Sequence, residues 1–583
     1  MPDSGNLKPV DASQRPDSQS QVRVYALPPR EGALPVEIVQ GFLEALTSDD
    51  PQFAMARKYL TKSASKKWDP ERATTVLADG PNTDAGNAGN DAEGSRRFSL
   101  TGQQVAKVDR QHAYRPAAAP YRQSVHLSLV SGPGGRKEWR IDEPPPGVVL
   151  GESDFQRIYR SVNKYYYAGT PGPGPDGQAG LVADPVYIRQ RIDPLTQTVK
   201  LLLAGPTNWL SPVADSRFRS GTQLKDPGKP LTPDDQNRLT VQLNSRSDGA
   251  SQTRCREMAA QLLYTLEDLS PSGVEQVTLQ RSNGSMLCVL SQSHAESVTA
   301  HRSADRPSYQ YFVDDKHRLV RMPANSGSTA DPAPVSGVLG TGEQPLRSAA
   351  VSRDEKRAAG VSLDGKSLYT GSLGSGDTLG KAQVRSRAKA EEDRLSTPSW
   401  DGHGDLWVAD RDPKRPRLLW LGAGEGEPVQ VEVPALDGRV EAVRVSADGV
   451  RIALLVKKDG KSSLWIGRVD RGEGAKPRMS VLDPTQAAPQ MEEVTAMSWA
   501  GGSRLVVVGR ESGGVQQMRY VQCDGSVLSG TALPGLTGVK EIAASESDQQ
   551  PLVAHSDDGI VRLPTGSQWQ TVVKDGAAPV YPG

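Results

Sequence analysis

Apolar periodicity is missing from the first thirty residues and sets in abruptly after them. The opening stretch, MPDSGNLKPVDASQRPDSQSQVRVYALPPR, is Pro, Ser and Gln without a repeat. It cannot bury enough surface to fold, so residues 1–30 are expected to form a disordered tether, roughly 100 Å long when fully extended. From Leu34 the pattern is helical. Pro35 suits a first helical position, and Val39, Phe42, Leu43 and Leu46 share one face at i, i+3, i+4 and i+7. Asp50 before Pro51 reads as the cap of a second helix that buries Phe53, Ala56 and Leu60. After a polar gap from Asp84 to Gly94 the period changes to two, with Val125, Leu127 and Leu129 on one side. A further strand runs through Tyr165, Tyr166 and Tyr167. Helices followed by a sheet make the expected first domain α+β, helix-plus-sheet in the NTF2-like manner, over residues 31–185.

The stretch TPGPGPDGQAG, Thr170 to Gly180, is either a hairpin tip or a boundary. A second α+β unit follows, expected over 186–305. Asp193 and Pro194 open a helix carrying Leu195, Val199, Leu202 and Leu203, which Gly205-Pro206 stops. Next come a short strand (Leu239, Val241, Leu243), a helix through Met258, Leu262, Leu263 and Leu266, and a strand from Met286 to Leu290.

The remaining half repeats itself. AVSRDEKRAAG, PSWDGHGDLWVA, RVSADGVRIALL, MSWAGGSRLVVV and AASESDQQPLVA align on Ser352, Ser399, Ser446, Ser498 and Ser545, spaced by 47, 47, 52 and 47 residues. A period in the forties, each unit a strand, a turn and a second strand, marks the blades of a β-propeller. A sixth partial copy spans the ends: DDKHRLVRMP from Asp314 resembles DDGIVRLP from Asp557. The fold expected is therefore multidomain, two small α+β domains followed by an all-β propeller of five or six blades over 306–583.

Composition narrows the partners. Gly (58) and Pro (44) are plentiful and aromatics are 5%, which suits short strands and turns. Net charge is zero, 69 basic against 69 acidic side chains, so no global field steers the chain to nucleic acid, and none is expected as a partner. No apolar run approaches the ~20 residues of a membrane-spanning helix. The first thirty residues lack the apolar core of a signal peptide, so none is expected here. The three cysteines, Cys255, Cys288 and Cys523, have no CxxC spacing, which argues against a zinc site.

Candidate chemistry is thin. Gly360 to Ser367 (GVSLDGKS) matches the P-loop pattern GxxxxGK[ST], but LYTGSLGSG follows it, poor material for the helix whose amides would cradle phosphate. A hairpin turn is the better reading. The Asp-Gly pairs at Asp401, Asp448, Asp459, Asp524 and Asp558 could be pictured as a carboxylate ring for catalysis or calcium. Asp-Gly is also the favoured dipeptide of tight hairpins, and no calcium-loop spacing occurs. His403 and His555 fall in blade turns and are expected to face solvent. No HExxH, HxH or GxSxG occurs, so no metal, no cofactor and no catalytic residue is assigned. Trp400 and Trp499 occupy equivalent blade positions; a ligand-stacking pair and blade packing are the alternatives. Cys255 on a helix and Cys288 on a strand would form a disulfide if the chain works outside the cell.

Taken in order, the MPDSG start, ESDFQRIYRSVNKYYYAG…LVADPVYIR, DPLTQTVKLLLAGPTNWLSP and the divergent propeller resemble the LpqB-type lipoproteins of actinobacteria over essentially the whole chain. The segment from Asp193 resembles a GerMN domain, a small α+β module also found in spore-germination proteins. The resemblance implies a lipobox and a lipidated cysteine anchoring the protein to the outer face of the plasma membrane. This sequence starts at Met1 without that cysteine, so the expectation is a soluble chain lacking its anchor, with residues 1–30 as spacer. The resemblance further implies a partner, the extracytoplasmic domain of an MtrB-like sensor histidine kinase in the MtrA–MtrB two-component system. The implied role is a non-catalytic accessory one in cell-wall homeostasis, division and development. The alternative is a receptor for cell-wall glycan or another small ligand on the propeller face. A propeller hydrolase or lyase has no nucleophile motif or metal pattern behind it.

Overall fold

The computed structural model describes residues 26–85, 94–132, 135–169, 180–267, 269, 273–295, 297–299, 307–324, 331–472, 478–527, 533–547 and 549–583 of the chain. Most of the expected tether and of the Thr170–Gly180 loop therefore lies outside the described residues.

The first domain starts as its periodicity predicts. Helix Pro35–Leu46 has proline at its first position, and Glu37 accepts the Leu34 N–H at 2.7 Å. Ile38, Val39, Phe42, Ala45 and Leu46 are buried, so the stripe is wider than the periodic set and Leu43 sits at its half-buried edge. Asp50 accepts the N–H groups of Gln52 (3.2 Å) and Met55 (2.9 Å). The second helix nevertheless begins only at Ala54, because Phe53 turns left-handed (φ 53°) to drop its ring against Trp68. These helices cover a six-stranded sheet with the order Lys137–Glu143, Tyr114–Ser131, Ser95–Val108, Thr74–Leu77, Val148–Gly151, and Asn82–Ala85 branching from Ser95–Val108.

The second core draws on a hairpin that precedes its expected start. Strands Tyr159–Ala168 and Leu181–Arg189 pair antiparallel along their whole length. Tyr165 to Ala168 and Leu181 to Ala183 pack in one core with helices Pro194–Leu203 and Gln252–Leu266 and with the sheet of Arg238–Gln242, Gln276–Gln280 and Met286–Ser291. The hairpin expected to close the first domain therefore serves two cores, since its Tyr159 and Tyr187 pack with the first domain. Its run of consecutive buried residues has the physical signature of a strand pair covered on both faces, where the alternation that reveals a partner is lost. Lys164 and Asp184 meet inside it at 3.2 Å, and Asp184 also accepts the N–H and hydroxyl of Thr207, each at 2.8 Å. Both charges are buried, paired and hydrogen-bonded, which is the condition for their surviving there. Across this core the structure joins Cys255 on the helix to Cys288 on the strand in a disulfide, with Cα atoms 6.1 Å apart.

Among the described residues, the C-terminal half is a ring of six antiparallel sheets. Blade I takes Tyr309–Asp314, Leu319–Pro323 and Ala333–Pro334 from one end of the segment and Gly576–Val580 from the other, Tyr311 pairing with Val580. This closes the ring as the partial repeat anticipates. The inner strands of blades II to VI are Leu346–Val351, Ser399–Trp400, Arg439–Val445, Glu493–Trp499 and Glu541–Ala543. Among the described residues, no helix is long and apolar enough to cross a membrane.

Candidate functional site

The P-loop-like stretch is a hairpin. Its residues lie on strands Arg357–Ser362 and Ser367–Ser372, joined by a turn in which Gly365 has φ +71°. Asp364 is held by the Ser362 hydroxyl (2.6 Å) and the Lys366 N–H (3.0 Å), so the turn amides serve the protein's own carboxylate. A strand follows where a phosphate-binding loop needs a helix.

The same device recurs at two of the aligned serines. Ser352 donates to Asp354 at 2.6 Å and accepts the Arg357 N–H at 3.0 Å; Ser446 does the same with Asp448 and Arg451. Ser399 and Ser498 point the other way, accepting Val445 N–H and Ala544 N–H from the next blade, each at 3.1 Å. Of the five Asp-Gly pairs, only Asp459-Gly460 has both residues at positive φ. Asp401 instead accepts from Trp407 Nε1 (2.9 Å) and from Arg471 of the next blade (2.7 Å). Among the described residues no three His, Cys, Asp or Glu side chains are grouped to hold a metal ion.

Trp400 and Trp499 both pack between neighbouring blades. Trp400 is 0% and Trp499 7% exposed. Trp400 Nε1 donates to Ala350 O (3.2 Å) and Trp499 Nε1 to Arg444 O (3.1 Å), in each case the inner strand of the preceding blade. An arginine from that preceding blade lies over each ring, Arg357 over Trp400 at 5.0 Å and Arg451 over Trp499 at 5.6 Å. Each ring thus acts as an inter-blade staple; Trp400 is sealed between its blades, while Trp499 also borders a small space on the propeller axis. The expectation for His555 is corrected. It lies on strand Leu552–Ser556 with Nδ1 3.4 Å from Glu541 and faces the central channel.

Arg451 is where the domains meet. It is 1% exposed, and its guanidinium bonds Asp448, Gly502 O and Cys523 Sγ within the propeller and Ala183 O (3.0 Å) of the second domain. Burial opposes its charge, but Asp448 and Cys523 more than offset this and hold its pKa above the ordinary arginine value. Nearby, Trp209 Nε1 donates to Asp483 O (3.0 Å) and Arg468 donates to Trp209 O (2.6 Å). On the other side of the hairpin, Arg189 donates to Ser48 O and to Asp50 O (2.8 Å), and Tyr187 N donates to His112 O (2.9 Å). The hairpin thus bonds to both neighbours at once. Beside it, Asp524 takes two bonds from Ser526 on Oδ1, while Oδ2 is buried without a partner. Burial, with Asp184 adding to it, pushes the Asp524 carboxyl up to about 6, and burial pushes the Cys523 thiol up to about 12.

The second feature is a cavity of about 540 Å³ on the propeller axis, lined from all six blades. Its wall is formed by the beginnings of the inner strands, at Arg347, Glu441, Val494 and Glu541. The bonds to the second domain leave from the turns after the inner strands, at Arg451 and Gly502, so the cavity opens on the opposite face. Below Arg444 the channel narrows to a space of about 60 Å³ walled by Trp499 and residues 579–583.

Comparison with known proteins now decides the family. The chain is 58% identical to "Lipoprotein LpqB" of Streptomyces avermitilis, covering 100% of this chain and 95% of that protein. It is 56% identical to the protein of the same name from Streptomyces coelicolor, with the same shares covered. The chain belongs to the LpqB lipoprotein family. A more distant LpqB, from Thermobifida fusca, is 27% identical over 94% of this chain and 90% of that one.

Three family models match along the chain: the LpqB N-terminal domain at 28–156, a sporulation and spore germination domain at 164–288, and the LpqB β-propeller domain at 317–582. The middle match begins inside the hairpin, in agreement with the core into which that hairpin packs. The three-part organisation of an LpqB protein is therefore what the sequence resemblance implied. Sequence reading did not find Arg451 or Arg444 as residues of interest, and it met Asp524 only as one of the Asp-Gly pairs. An arginine five positions after the aligned serine, at Arg357 and again at Arg451, was the available signal.

Proposed function

We propose that this chain is a non-catalytic accessory protein, lipid-anchored at the outer face of the plasma membrane in its native form. In this reading it binds the extracytoplasmic domain of an MtrB-like sensor kinase and modulates a two-component system controlling cell-wall homeostasis, division and development. Its family supports the anchor, since the relatives carry the word lipoprotein in their names. The observation that favours a binding role is the junction: one hairpin bonds to the first domain through Arg189 and Tyr187 and to the propeller through Ala183 O. A partner that engages one domain thereby meets an assembly whose parts are held in register. Binding would bias the kinase only by the difference in affinity for its two signalling states.

The test is direct binding of the purified chain to the purified extracytoplasmic domain of the kinase, followed by reconstituted autophosphorylation with and without the chain. Saturable binding that changes the phosphorylation rate is the expected outcome. Two folded proteins that show no binding at high micromolar concentration would end the reading.

A further inference from the structure

The cavity on the propeller axis is the largest space described above, and nothing in the accessory role uses it. Basic side chains outnumber carboxylates in its lining. Arg347, Arg411, Lys457 and Lys540 line it together with Arg444, against the two carboxylates Glu441 and Glu541. Charges of both signs are engaged: Glu441 faces Arg411 (3.8 Å) and Arg439 (2.8 Å), Glu541 accepts the Ala578 N–H at 2.8 Å, Arg347 meets Glu391 (3.4 Å) and Lys540 meets Asp557 (3.1 Å).

Arg444 is the residue best placed to receive something. It stands between the wide cavity and the narrow space beneath, bordering both. Its Nη1 donates to the carbonyls of Pro398 (3.3 Å) and Val443 (3.1 Å), which fixes the plane of the guanidinium. Nε and Nη2 make no bond to any described residue, and neither is sealed from solvent. Burial lowers its pKa and Glu541 restores only part of the difference, so the cation is poorly compensated by the protein. A guanidinium with one edge anchored and two donors open matches the paired oxygens of a carboxylate or phosphate. A space of about 540 Å³ falls in the range of small-molecule sites and admits a body of about monosaccharide size.

We propose that the open end of the propeller channel is a binding site for a small ligand bearing one carboxylate or phosphomonoester, with Arg444 receiving the anionic group at the channel floor. Lys457, an exposed side chain at the rim, adds attraction on entry. The ligand enters from the face opposite the second domain, so the site is accessible in the intact chain.

The experiment is calorimetric titration of the full chain with inorganic phosphate, a hexose phosphate and a hexuronate, at low and moderate salt. At least one of them is expected to bind saturably at one site per chain. Arg444→Met should weaken that binding by roughly tenfold or more, and Arg444→Lys by less, because lysine keeps the charge and loses the fork. The backbone bond from Trp499 to Arg444 O survives both substitutions. Should Arg444→Met fail to fold, Lys457→Ala and a soaked crystal decide instead: several-fold weaker binding and an anion seated beside Arg444 would uphold the site. The proposal is overturned if none of the three anions binds at millimolar concentration, if Arg444→Met or, in its place, Lys457→Ala binds like the parent, or if the soaked anion sits outside the channel. Preference for phosphate over hexuronate, or the reverse, identifies which oxygen acid the channel takes.

Discussion

Replacing Arg451 with methionine tests the junction most directly. The side chain is buried, and its removal strands the Asp448 carboxylate and the carbonyls of Gly502 and Ala183 together. Breaking a buried ion pair by deleting one partner costs about 3–5 kcal/mol, because the remaining charge stays desolvated. The Ala183 share falls on the contact between domains, where an unmet carbonyl costs about 1–3 kcal/mol. Methionine fills much of the volume and keeps contact with Trp499, so a cavity adds little. For a unit the size of the propeller this corresponds to a fall of roughly 6–20 °C in its melting temperature. Thermal unfolding of the full chain reads that quantity, and hydrogen exchange locates it. Faster exchange should appear in the hairpin strand Leu181–Arg189 and in the turns at 446–450 and 500–503. An Arg451→Met protein that melted within a degree of the parent, with unchanged exchange in that strand, would refute the claim that this arginine joins the domains.

Asp524 makes stability depend on pH with a defined sign. Its carboxyl titrates near 6 when folded against about 3.9 unfolded, so the folded state holds the extra proton between those values. Its contribution is full below about pH 4 and is lost as pH rises through 6, by roughly 2–3 kcal/mol. Asp524→Asn keeps the Oδ1 acceptor for Ser526 and should flatten this term; the parent and variant melting curves, compared from pH 4 to 7, should differ by that slope. Reducing the Cys255–Cys288 bond frees a loop of sequence separation 33, for which chain entropy gives about 3–4 kcal/mol. A Cys255→Ala, Cys288→Ala protein whose second domain resists urea as well as the parent would contradict that. Trp400→Ala empties a buried inter-blade site and should cost about 3–5 kcal/mol. Retention on isolated peptidoglycan that disappears in this variant while its melting temperature is unchanged would instead restore the ring as a ligand contact.

Much of this architecture is written locally. Helix Pro35–Leu46 is set by proline at its start and an i, i+3, i+4, i+7 stripe, and helix Pro194–Leu203 by the Asp193 carboxylate accepting the Thr196 N–H. The blades show as a repeat because each rebuilds an inner strand, a turn and a second strand, with the serine-aspartate turn recurring at Ser352 and Ser446. These are short-range requirements, so a pattern in the chain records them. Tertiary structure decided the rest. Whether Trp400 meets a ligand or a neighbouring blade depends on the carbonyl of Ala350, fifty residues away. Sequence reading cut the hairpin at 159–189 between two expected domains, because a strand pair buried on both faces carries no alternation to reveal its partners. Arg451 and Ala183 are separated by 268 residues, and Arg444 becomes exceptional only when six blades close around it. A contact between distant segments leaves no period in the sequence; only the folded chain brings its two halves together.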